Sequence, residues 1–137
     1  MFDWLKRKTA AAPAPLTGAP PIRRQKSYSG MSGYVYQYYY EGWRPAALGP
    51  DEAAEYVFSV TSDRKTVFPV SVFVLRRAVG AWQAAHLRQL SGAEQYAIAK
   101  MALFAAFDER DLPAKLREPV VVEEPAVDTI LTALELD

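Results

Sequence analysis

SGAEQYAIAKMALFAAFDER, residues 91–110, is the stretch around which the rest of the chain has to be arranged. Ser91 followed three residues later by Glu94 is a capping box. The hydroxyl satisfies an orphan amide of the first turn, and the carboxylate reaches back to the amide of the cap. From Ala93 to Phe107 only Glu94, Gln95 and Lys100 are strongly polar, and Ala, Leu and Met are strong helix formers. Steps of 100° put Tyr96, Ala97, Leu103, Phe104 and Phe107 on one heavy stripe and Ala99, Ala102 and Ala106 opposite it. A helix that is apolar all round is a buried helix. The heavy stripe should face a sheet. The alanine side admits a close neighbour, either a helix over 126–136 of the same chain or one from another subunit. We assign Ala99, Ala102 and Ala106 to a partner.

Upstream, the pattern changes to strands. GYVYQYYYE, residues 33–41, is rich in aromatic and β-branched residues, and period two puts Tyr34, Tyr36, Tyr38 and Tyr40 on one face. EYVFSVTS (55–62) and VFPVSVFVL (67–75) are separated by the polar turn Asp63-Arg64-Lys65 and predict an antiparallel hairpin. Pro69 cannot donate to a ladder and belongs at an edge, a strand start or a bulge. Ala46 to Ala54 reads as a loop with a helical turn after Pro50. Arg76 to Leu90 reads as a weaker helix, with Leu75, Val79, Trp82, His86 and Leu90 on one side. Val120–Val122 is a short extended piece between prolines, and Ala126–Leu136 closes as a helix. The order predicts an α+β domain: a small antiparallel sheet of about three strands, with two to three helices packed on one face.

The domain so read spans residues 33–137, preceded by a basic, Pro/Ala-rich arm over 1–32. Thr9 to Pro21 holds four of the ten prolines and suits an extended linker. Ser27 to Gly33 reads as a flexible lead into the fold. The formal charge is zero over 137 residues, but residues 1–32 carry six Lys/Arg against Asp3 alone. Residues 108–137 carry nine Asp/Glu against three Lys/Arg. A basic arm and an acidic end bear on association rather than on fold.

Chemistry is sparse. The chain has no cysteine, so disulfides, thiolate metal sites and thiol nucleophiles are excluded. His86 is the single histidine and reads as a satisfied residue on an apolar stripe. Lys100 lies within the heavy stripe; its stem is expected to run over Phe104 and its ammonium to reach the edge. Neither a phosphate loop nor an esterase elbow occurs, and no catalytic residue, cofactor or metal is assigned. No stretch approaches the length of a membrane span, and Lys6-Arg7-Lys8 follow Met1–Leu5 where a signal peptide would continue apolar, so a cytoplasmic location is expected.

These features predict a non-catalytic accessory or assembly subunit, docking on a larger protein complex or on its own copies. The residues assigned to docking are Phe2, Trp4, Leu5, Lys6, Arg7, Lys8, Arg23 and Arg24 of the arm, with the alanine side of the helix. Phe2, Trp4 and Leu5 beside three cations also suit peripheral contact with an anionic membrane surface. The alternative is a single-stranded nucleic-acid binder that stacks bases on Tyr34, Tyr36, Tyr38 and Tyr40 and neutralises phosphates with Arg23, Arg24 and Lys26. It is disfavoured because that face is the more apolar one and the acidic end would repel a phosphate backbone.

Overall fold

The computed structural model describes residues 13–134. The fold is α+β, as the pattern of the sequence predicts, but its sheet has five strands among the described residues instead of about three. In chain order they are β1 (Lys26–Ser29), β2 (Val35–Leu48), β3 (Asp51–Thr61) and β4 (Phe68–Leu75), with β5 (Val120–Val122) returning at the far edge. Neighbours in sequence are neighbours in the sheet, and all pairs are antiparallel except β4 with β5. That parallel pair needs a crossover. The helices α1 (Arg76–His86) and α2 (Gly92–Glu109) and a 3₁₀ turn (Pro113–Arg117) supply it, and α3 (Glu124–Ala133) follows.

Two extra lengths of strand lie where the sequence pattern predicts irregular chain. The presumed loop 46–54 is the closed end of a hairpin: Pro45 pairs with Ala54 and Leu48 with Asp51, with the turn at Gly49-Pro50. Short, small residues such as Ala46, Ala47, Ala53 and Ala54 have weak strand preference. Here the flanking Tyr/Val/Phe ladder carries them into register. The lead-in 27–33 is likewise no free linker. Lys26–Ser29 pairs with Val35–Tyr38, and Asp108 at the end of α2 accepts from the Met31 amide at 2.9 Å and the Tyr28 hydroxyl at 2.9 Å.

One face of the sheet carries the core. Tyr36 and Tyr38 of β2, Phe58 and Val60 of β3, and Val70, Val72 and Val74 of β4 are buried there. The heavy stripe of α2 meets this face as expected. The ring of Phe107 stacks on Tyr36 at 4.3 Å and that of Phe104 on Tyr28 at 4.3 Å, while Tyr96 reaches Tyr40 at 4.6 Å. The capping box also forms: the Glu94 amide donates to Ser91 Oγ at 3.1 Å, and the Ser91 amide donates to Glu94 Oε1 at 2.9 Å.

The alanine side departs from its assignment. Ala99, Ala102 and Ala106 are buried within the chain, because α2 also packs on α3, β5 and the 3₁₀ turn. The small residues let those neighbours approach closely, so this seam is internal and offers no open face to another subunit.

The opposite face of the sheet is polar. Arg23 forks onto Glu41, which also accepts from Ser59 Oγ. Arg44 and Ser71 both donate to Glu55. An antiparallel sheet solvated on one side gives this arrangement.

Candidate functional site

The arm does not leave the domain at residue 33. Before β1 it crosses β2 as a strap. Thr17 and Trp43 exchange two backbone hydrogen bonds of 2.8 Å. The crossing is close enough that a Cβ on Gly42 would lie 2.8 Å from the Thr17 carbonyl oxygen, and Gly42 holds φ +123° at the β2 bulge. Both features require glycine there. A Cβ on Gly18, at φ +78°, would lie 3.1 Å from the Trp43 indole.

Between strap, sheet and the first turn of α2 lies a groove of about 760 Å³. Tyr38, Tyr40, Trp43 and Tyr56 form its floor, and Tyr96 and Gly92 rise on the α2 side. The rings touch one another: Trp43–Tyr56 at 6.2 Å, Tyr40–Tyr56 at 6.5 Å and Tyr40–Tyr96 at 4.6 Å. Its charged lining among the described residues is of one sign, being Arg24 and Lys26 from the strap side and Arg76 from the start of α1. None of these three cations makes an ion pair with a described residue. A smaller polar cavity of about 360 Å³ lies elsewhere, lined by Gln37, Tyr39, Ser59, Thr61 and Arg64.

The phenols of the groove are held neutral. Burial pushes the Tyr38 hydroxyl up to about 12 and that of Tyr56 also to about 12, and it raises Tyr40 and Tyr96 in the same direction. A folded-state value above the unfolded ~10 means that the unfolded chain loses these protons first. Their contribution is therefore complete below about pH 10 and is lost as the pH rises towards about 12. Tyrosinate absorbance of the native protein should lag that of the denatured chain, with denaturant midpoints falling over the same interval. Superimposable native and denatured titrations would show that these rings are not buried.

The sequence-assigned residues separate into groups. Tyr38, Tyr40, Arg24 and Lys26 come together in the groove. Tyr36 is fully buried against Phe107, and Tyr34 packs beside Tyr36 at 6.2 Å, so these two serve the core. Arg23 faces the other side, forked on Glu41 and lying 3.9 Å from the Tyr39 ring centre. Phe2, Trp4, Leu5, Lys6, Arg7 and Lys8 fall outside the described residues. Lys100 is half-buried, with Nζ 5.7 Å from the Phe104 ring centre. His86 stacks on Trp82 at 4.1 Å, and its Nδ1 lies 2.9 Å from the Trp82 carbonyl oxygen. Among the described residues no group of three acidic or histidine side chains is placed to hold a metal ion, and no helix is long and apolar enough to cross a membrane.

Trp43, Tyr56, Tyr96 and Arg76 were not marked by the sequence as site residues. They lie on four different elements, and only the β2–β3 hairpin and the starts of α1 and α2 bring them together. Neither a family model, a curated protein nor a solved structure matches this chain.

Proposed function

We propose that the chain is a non-catalytic accessory subunit that attaches to a larger assembly, or to its own copies, through its basic N-terminal arm. The observation that carries this reading is the strap. Two backbone hydrogen bonds at Thr17 and the Arg23–Glu41 fork pin the Pro-rich stretch to the domain. The described strap, which in the sequence follows the aromatic and cationic residues 1–12, is thereby fixed beside the groove. A short tether raises the effective concentration of whatever the arm meets. The alanine side of α2 takes no part, since the chain itself covers it. Of the residues the single-strand reading needs, Tyr36 lies in the core and Arg23 is paired with Glu41, while Tyr38, Tyr40, Arg24 and Lys26 meet in the groove.

The arm up to residue 12 should be dispensable for stability, whereas a deletion reaching through Ser29 would remove the strap and β1. Removal of residues 1–12 should leave the urea midpoint unchanged. Size-exclusion chromatography of a mild, low-salt lysate of the native host should find the full chain above monomer size and the truncated chain at it. Equal elution of the two would overturn the reading.

A further inference from the structure

We propose that the groove beneath the strap is a binding site for a small organic anion: a carboxylate or comparable acidic head on a flat, apolar body. The inference does not depend on the accessory reading, because every residue it invokes lies within the described chain. Its size lies within the ~300–1000 Å³ of sites that enclose a small molecule. The floor offers aromatic faces from Tyr40, Trp43 and Tyr56, which suit a planar apolar body.

The polar groups converge on negative charge. Arg24, Lys26 and Arg76 line the groove without a carboxylate among its described lining residues, and they have no ion-pair partner among the described residues. The hydroxyls of Tyr38, Tyr40, Tyr56 and Tyr96 likewise have no hydrogen-bond partner among the described residues. They remain protonated donors at neutral pH. Gly92 and Ala93, in the first turn of α2, border the same space. The capping box occupies the Glu94 amide but leaves the amides of these two without an acceptor. Donors and cations thus surround an aromatic floor with no acceptor of matching charge. A neutral apolar body would displace water from them without replacing its hydrogen bonds, whereas an anion pairs with them.

Isothermal titration calorimetry of the full chain with naphthoate and with naphthamide tests this, since the two probes differ in charge and little in shape. Naphthoate should bind one molecule per chain, about tenfold or more tightly than the amide. The double variant Lys26→Gln/Arg76→Gln, at two exposed positions, should keep the thermal midpoint and bring naphthoate down to the affinity of the amide. Trp43→Ala should weaken both probes. Equal affinity for the two probes, no binding of either up to millimolar concentration, or indifference to the charge variant would each overturn the proposal. Competition with oligo-dT covers a different occupant. Displacement of naphthoate by oligo-dT with a steep salt dependence would assign the groove to nucleic acid instead. Sedimentation velocity covers a second copy of the chain: a dimer dissociated by Trp43→Ala and indifferent to naphthoate would overturn the small-molecule site.

Discussion

Ala99→Glu should abolish the cooperative thermal transition and the near-ultraviolet circular dichroism of the folded chain. Ala99 is fully buried on the side of α2 that packs against α3, β5 and the 3₁₀ turn. A glutamate there either ionises in an apolar seam or stays protonated with its polar atoms unsatisfied, and it also forces the neighbouring elements apart. An uncompensated buried charge costs about 3–5 kcal/mol, to which overpacking adds about 1–3 kcal/mol. A domain has only ~5–15 kcal/mol to lose. Ala105→Glu is the matched control, since Ala105 is exposed on the same helix; it should keep the native spectrum. The outcome also decides what the alanine seam is for. A folded Ala99→Glu protein that has lost a self-association would return the seam to an intersubunit role and contradict the internal packing.

How far the sequence could be read depends on whether the deciding interactions are local. The capping box at Ser91, the heavy stripe of α2 and the inward tyrosine face of β2 are all consequences of spacing within one element, and each appears in the structure as the pattern predicts. The reading runs out where a segment with weak preference is held by something distant. Lys26–Ser29 becomes a strand because Tyr28 stacks on Phe104 and its hydroxyl finds Asp108, eighty residues away. The 46–54 stretch becomes hairpin because the ladder from Tyr38 to Trp43 fixes its register. The groove is harder still to foresee. Tyr38 and Tyr40 are visible as a pattern, but Trp43, Tyr56, Tyr96 and Arg76 carry no local signature that groups them. Only the strap, which needs glycine at 42 and 18, turns that face of the sheet from core into site.

Phe107→Ala should be the most destabilising single truncation on the heavy stripe. The ring is fully buried and stacks on Tyr36 at 4.3 Å, with Tyr28 at 5.7 Å and Tyr38 at 6.1 Å. Truncating a buried phenylalanine costs ~3–5 kcal/mol, and each aromatic pair adds ~0.5–1.5 kcal/mol beyond its area. The expected fall in thermal midpoint is roughly 10–20 °C. The loss should also spread beyond the cavity. The Phe107 carbonyl oxygen accepts from Ser32 Oγ at 2.7 Å, and Asp108 holds Met31 and Tyr28, so the last turns of α2 clasp the chain between β1 and β2. Without the ring to seat α2, amide exchange in Lys26–Ser29 should quicken more than in β3 and β4. Phe104→Ala separates these contributions. Phe104 is half-buried, and its ring contacts are the Tyr28 stack, the edge of Tyr38 and a tilted approach to Phe107 at 6.4 Å, so it should cost about half as much. Equal costs for the two variants, or exchange quickened evenly across the sheet, would mean that β1 is held by its ladder with β2 alone and that the clasp contributes nothing.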